Sequence, residues 1–221
     1  MEVIRLDETN LDSSAARAAA VLRAGGVVLY PTDTFYGLGA DALSDKAVAK
    51  VKNIKRRDEG KPIHAIVSDL GMAARYAELT DDARLLAERL PQGQVTFILS
   101  AKGGSASGGK KKVSTGIMRG IRTFGFRIPD NDFCLALVRE FSRPVTATSA
   151  NLSGRSPERS VEKILAQFGT AAESLDLVID AGELPAKQPS TVVDLSEATP
   201  VIIREGAISA ADVWNAIRVG A

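Results

Sequence analysis

The feature that most constrains this 221-residue chain is the crowding of apolar runs near its C-terminus. There LVID (177–180), STVVDL (190–195) and VIIRE (201–205) follow one another with little room for helices between them. Parallel neighbours need a long crossover, usually a helix, whereas antiparallel neighbours need only a turn. Part of any sheet built from these runs is therefore expected to be antiparallel. Upstream the pattern alternates. VVLYP (27–31), PIHAIVS (62–68), VTFILS (95–100), TFGFRIP (123–129) and PVTAT (144–148) read as buried strands. Residues 13–24 are Ala-rich and meet Gly25-Gly26, so a helix is predicted there. Ser44 can cap a helix over 45–57, whose Ala47, Val48, Val51 and Ile54 share one face. Leu85, Leu86 and Leu90 mark another helix, as do Phe133, Leu137 and Phe141. Val161, Ile164, Leu165 and Phe168 form one stopped by Gly169, and Ala210 to Val219 closes the chain. The expectation is α/β, with a mixed sheet flanked by helices in a single domain over residues 1–221. No internal repeat or domain boundary interrupts it.

Several classes drop out early. With 45% hydrophobic and 25% charged residues, the composition is that of an ordinary globular protein. The N-terminus, MEVIRLDETN, carries no apolar run behind a basic start, and no segment approaches the ~18 apolar residues of a membrane helix. A cytoplasmic protein without a membrane partner is expected. Cys134 and His64 are the single cysteine and histidine, so no disulfide framework and no Cys/His zinc site can be built. No metal-ligand set is predicted. His64, with no second His or Cys, reads as an ordinary strand residue.

Charge is unevenly spread. The net charge is +1, yet residues 50–61 hold six basic and two acidic residues. Residues 102–127 hold seven basic and no acidic ones, which leaves about −10 for the rest. Such asymmetry suits either an anionic ligand or two solvated basic faces. The stretch 102–112, KGGSASGGKKK, is rich in Gly, Ser and Lys and reads as a mobile loop. It contains a P-loop-like spacing at Gly104, Gly109 and Lys110, but Lys111 stands where a magnesium-holding Ser or Thr belongs. No G-x-G-x-x-G opens a helix after a strand, so a dinucleotide site is not expected.

Two polar segments follow strand ends, where ligands of open α/β sheets usually sit. YPTDTFYGLGADA (30–42) presents Thr32, Asp33 and Thr34 before Gly37 and Gly39, which allow a sharp turn or close approach to a ligand. SANLSG (149–154) offers the Ser149 hydroxyl and the Asn151 amide. Taken singly, each is a turn with local side-chain caps. Between them lie Lys55, Arg57 and Lys61, which either complement a helix C-terminus or clamp a triphosphate. Arg127 ends an apolar strand, as a carboxylate-binding guanidinium would. Ser190 opens STVVDL and Arg204 ends VIIRE. No Ser–His–Asp set or nucleophile elbow exists, so any chemistry here works through positioning and electrostatics.

In this order and spacing the segments resemble the YrdC-like family of threonylcarbamoyl-AMP synthases. They are YPTDTFYGLGADA, then Lys55, Arg57, Lys61 and Pro62 as K-x-R-x-x-x-K-P, then Thr123 and Arg127 as T-x-x-x-R, then SANLSG, STVVDL and IIREGAI. The resemblance runs from about residue 12 to residue 207. It implies a YrdC-like twisted mixed sheet with a large basic concave surface. It also implies an enzyme joining L-threonine, bicarbonate and ATP into threonylcarbamoyl-AMP and pyrophosphate for tRNA modification, with magnesium accompanying the triphosphate. By carry-over, Lys55, Arg57 and Lys61 face the phosphates as catalytic residues. Thr123, Ser149, Asn151 and Arg204 help bind ATP, and Thr34, Arg127 and Ser190 hold threonine. tRNA or double-stranded RNA and downstream threonylcarbamoyl-transfer proteins are the implied partners.

Two positions depart from the family pattern. Asp58, followed by Glu59, stands where the family usually has Pro, and His64 replaces a common apolar residue. They leave open a divergent branch that binds double-stranded RNA or tRNA without the synthase activity. An aromatic content of 5% argues against base stacking on single strands but not against binding of a duplex backbone. Hydrogenase-maturation carbamoyltransferases use related chemistry but carry zinc-finger segments, and no C-x-x-C occurs here.

Overall fold

Every apolar run named above contributes a strand, and every helical pattern a helix, in a computed structural model that describes residues 1–57, 61–102 and 115–218. The strands are β1 (Glu2–Arg5), β2 (Val28–Tyr30), β3 (Gly37–Gly39), β4 (His64–Ile66), β5 (Val95–Ser100), β6 (Thr123–Arg127), β7 (Val145–Ser149), β8 (Leu177–Asp180), β9 (Thr191–Asp194) and β10 (Val201–Arg204). The helices are α1 (Leu11–Arg23), α2 (Asp45–Lys55), α3 (Leu70–Ala73), α4 (Asp81–Arg89), α5 (Asp132–Phe141), α6 (Val161–Phe168) and α7 (Ala210–Arg218). Asp58, Glu59, Val219 and all of the Gly/Ser/Lys-rich stretch except Lys102 lie outside the described residues.

The strands form one ten-stranded twisted mixed sheet in the order β1-β8-β2-β3-β7-β4-β6-β5-β9-β10. The expected antiparallel pairing at the C-terminus is real but limited to β9 and β10. β8 does not join them. It crosses to the far half of the sheet and runs parallel between β1 and β2, while β9 runs parallel to β5. Short connections therefore do not mean adjacency here, because the chain swings across the sheet between Asp180 and Thr191.

Two strands escaped the sequence reading. β1 is a largely exposed edge strand with charged ends. β3, the GLG of YPTDTFYGLGADA, was expected to be a turn but pairs with β2 on one side and β7 on the other. Its glycines are required by packing. A Cβ on Gly37 or Gly39 would lie 3.0 or 2.9 Å from the Tyr30 ring, which covers both residues and donates from its hydroxyl to the Thr146 carbonyl.

The core follows from helix faces meeting the sheet and each other. α1 turns Ala15, Ala18, Ala19 and Leu22 inward, and its small residues let it pack closely against α5. α5 buries Phe133, Leu137, Val138 and Phe141, each large side chain worth about 1.5–3 kcal/mol of burial. Caps fix the helix starts: Ser44, Thr80 and Asn131 each accept from a backbone N–H of the first turn. α2 stops two residues earlier than its pattern suggests, because Arg56 adopts a left-handed backbone with φ 49°. That one residue redirects everything downstream of Lys55.

Candidate active site

A cleft of about 470 Å³ opens over the middle of the sheet, within the usual size range for a small-ligand site. Thr34, Arg57, Arg127, Ser149, Ser190 and Arg204 all line it, although they come from segments spread along the whole chain. Pairing of Gly37 with Ser149 brings the two polar strand-end segments side by side. Pairing of β5 with β9 brings Ser190 beside Thr96, whose hydroxyls lie 2.7 Å apart.

The segment after β2 is locked by its own side chains. The Thr32 hydroxyl accepts from Thr34 N, donates to Phe35 O and lies 3.2 Å from the Thr34 hydroxyl. Asp33 turns the other way and binds Arg127, whose Nη1 lies 2.8 and 2.7 Å from the two carboxylate oxygens. Both side chains are almost fully buried. Arg127 also donates to the Gly93 carbonyl through the same Nη1. Its charge is thus half committed inside the protein, and the remaining guanidinium face meets the cleft.

The segment after β7 is locked from below by Lys55. The Lys55 ammonium is 1% exposed and donates to the backbone carbonyls of Ser149 and Asn151 and to Asn151 Oδ1. Burial, and secondarily the Arg57 charge, lower its pKa to about 7. Asn151 is consumed in the same loop. Its Oδ1 accepts from the Ser149 hydroxyl at 2.5 Å, and its amide donates to the Leu152 and Arg155 carbonyls.

The three cations of the K-x-R-x-x-x-K pattern therefore do not converge as expected. The left-handed turn at Arg56 sends Lys55 under the 149–153 loop and Arg57 into the cleft. Arg57 also donates to the carbonyl of Pro62, which closes the turn. Lys61 lines a neighbouring hollow of about 260 Å³ together with Lys52 and Arg119, and Pro62 and Ile63 form the shared wall. Thr123 sits at the opposite end of β6 from Arg127, about 13 Å away for four strand steps, and does not line the cleft.

Electrostatically the cleft is cationic. Burial, and then the Arg127 charge, lower the pKa of Arg204, which donates to the Ser190 carbonyl. Burial, then Arg204 and Arg57, push the His64 pKa down to about 4. Three guanidiniums thus face one space in which a histidine stays neutral, an arrangement suited to an anion. His64 is a strand residue as expected, and its strand places it in the cleft lining. Thr96 was passed over, although a threonine between the apolar Val95 and Phe97 was a usable signal. Among the described residues no group of His, Cys, Asp or Glu is clustered to hold a metal, and no helix is long and apolar enough to cross a membrane.

Fold and cleft together define a mixed-sheet α/β protein with an anion-receptive site at strand ends. The chain belongs to the Sua5/YciO/YrdC family, whose model, described as "Telomere recombination", matches residues 20–206. It is 34% identical to the threonylcarbamoyl-AMP synthase of Pyrococcus abyssi, over 90% of this chain and 56% of that protein. It is 37% identical to the mouse (Mus musculus) threonylcarbamoyl-AMP synthase, over 83% of this chain and 64% of that one. The chain thus spans between half and two thirds of the length of these two relatives. The crystal structure of P. abyssi Sua5 complexed with L-threonine superposes with a TM-score of 0.82 at 29% identity, over 98% of this chain and 60% of that one. That of Escherichia coli YciO superposes with a TM-score of 0.75 at 27% identity, over 94% and 95%.

Proposed function

We infer that this chain is an L-threonylcarbamoyladenylate synthase, a nucleotidyltransferase that makes threonylcarbamoyl-AMP and pyrophosphate from L-threonine, bicarbonate and ATP. The observation that carries the reading is the convergence of Thr34, Arg57, Arg127, Ser149, Ser190 and Arg204 on one cationic cleft. The relatives named for this activity, and the solved relative holding L-threonine, support it.

In this reading the threonine amine and bicarbonate condense to a carbamate with loss of water. A carbamate oxygen attacks the α-phosphorus of ATP, the bond to the β-phosphate oxygen breaks, and pyrophosphate leaves. Thr34, Ser190 and the open face of Arg127 hold threonine, with Arg127 taking its carboxylate. Arg57, Ser149 and Arg204 hold the nucleotide, and the guanidiniums stabilise charge on the phosphate chain in the transition state. Lys61 reaches the phosphates from the adjoining hollow. Lys55 and Asn151 serve by shaping the loop that carries Ser149, while Thr123, which does not line the cleft, takes no part in it. Magnesium enters as companion of the triphosphate. Residues 1–221 act as a single domain in the cytoplasm. The product serves tRNA threonylcarbamoyladenosine formation, with tRNA or double-stranded RNA on a basic surface and threonylcarbamoyl-transfer proteins downstream.

The test supplies the purified chain with labelled ATP, bicarbonate and each amino acid in turn. Pyrophosphate release should need both threonine and bicarbonate, and Arg57→Ala should lower it by at least about a hundredfold with an unchanged unfolding midpoint. Release indifferent to threonine would overturn the reading. Salt-sensitive tRNA binding without any release would replace it with the RNA-binding alternative.

A further inference from the structure

His64, the single histidine of the chain, has no task in the reaction as just assigned, yet its surroundings are built around it. It opens β4 and pairs with Ala147 of β7 on one side. On the other side the ring lies against the bare backbone of β6 at Gly125. A Cβ on Gly125 would stand 2.4 Å from His64 Cδ2, 3.1 Å from Nε2 and 3.2 Å from Cγ. Only glycine lets the imidazole lie across that strand. Two of the smallest residues, Gly125 and Ala147, thus flank a ring that forms part of the cleft floor. A ring serving merely to fill space would leave its nitrogens idle, and a strand position offers Ile or Leu for that purpose.

The nitrogens are not used internally. No hydrogen bond joins either of them to another described residue, and neither is sealed away as a buried unpaired atom. Among the described residues, the charged groups around the ring are Arg57 from the turn after α2, Arg204 from β10 and Arg127 from β6. β7 contributes Ala147, Thr148 and Ser149, none of them ionisable. The nearby carboxylate, Asp33, is committed to Arg127. With burial and two arginines holding its pKa near about 4, the imidazole is neutral at pH 7. It therefore offers one N–H donor and one lone pair to whatever occupies the cleft.

We propose that His64 is a substrate-recognition residue, whose ring N–H donates a hydrogen bond to an oxygen of the phosphate chain held by Arg57 and Arg204. The proposal rests on the nucleotide-binding reading of the cleft and adds a residue to it. A phosphate oxygen is the preferred acceptor because the two flanking guanidiniums draw anionic oxygens over the ring, whereas the threonine carboxylate is directed to Arg127.

One histidine means one set of imidazole resonances, so the full chain labelled with ¹⁵N needs no assignment by mutation. Without ligand, the ring should not titrate between about pH 5.5 and 8. ATP should move the donor nitrogen resonance, while L-threonine alone leaves it in place. In turnover, His64→Ile should raise KM for ATP by about tenfold, the size of one hydrogen bond to a charged group. kcat should change far less, and His64→Gln or His64→Asn should recover most of the loss. ATP that shifts the amides of Arg57 and Ser149 but leaves the ring nitrogens unmoved would overturn the assignment while the proposed function stands. Wild-type kinetics in His64→Ile would do the same. If ATP moved no resonance at all, the nucleotide reading and this assignment would fall together.

Discussion

The two segments that border the cleft, residues 32–36 and 149–153, both carry short polar side chains at a strand end but are held by opposite electrostatic means. In the first, a buried acid and a buried base compensate each other: Asp33 pairs with Arg127, which itself lines the cleft. In the second, a cation is surrounded by carbonyl dipoles: Lys55 binds Ser149 and Asn151 from beneath, with no acid among its described partners. In a compensated pair, losing one member strands the other. A cation among dipoles is cheaper to lose and sensitive to pH, because burial already pulls its pKa down.

The sharpest way to break this comparison is Arg127→Met, which leaves the Asp33 carboxylate buried without its partner. It should cost about 3–5 kcal/mol of stability in denaturant unfolding. Arg127→Met combined with Asp33→Leu should recover most of that loss. An effect below about 1 kcal/mol would mean the pair is not what locks residues 32–36. Lys55→Met should cost less, about 1–3 kcal/mol for carbonyls left without a donor, and should also depress turnover by loosening the loop that carries Ser149. Equal losses in the two variants would erase the distinction.

The smallest effect concerns pH. Lys55 has a folded pKa of about 7 against an ordinary value of 10.5, so folding releases a proton between those values. Below about 7 both states hold the proton and the penalty is constant. As pH rises from 7 towards 10.5 the unfolded state binds more protons, so wild-type stability should climb relative to Lys55→Met. Unfolding curves of both proteins at pH 7 and pH 9 measure the difference. A flat difference would mean the three acceptors keep Lys55 fully charged.

How legible all this was depended on where the determining contact lies. VTFILS announced itself because a run of β-branched and aromatic residues fits a strand buried on both faces, and it became β5 without a change of boundary. Gly37–Gly39 did not, since glycines carry no strand signal and the Tyr30 ring that makes the strand possible lies in another one. The cleft residues Thr34, Arg57, Ser149 and Arg204 were nominated by motif order and are brought together by the sheet. The fates of Lys55 and Lys61 were not legible, because a single backbone angle at Arg56 separates them from Arg57. The place of His64 in the cleft was not legible for a related reason. A lone histidine gives no motif, and its meaning lies in Gly125, sixty-one positions later, whose missing side chain makes room for it.

The parallel pairing of β5 with β9 has a consequence in time. Thr96 and Ser190 touch although 94 positions separate them in the chain, and contacts of such long range form slowly because their loop must close first. A ribosome delivers Thr34, Arg57, Arg127 and Ser149 well before it delivers Ser190 and Arg204. Until β9 and β10 have been made, the sheet lacks the strands that bring Ser190 and Arg204 to the cleft. The cleft lining is then complete only once β9 and β10 have joined the sheet beside β5.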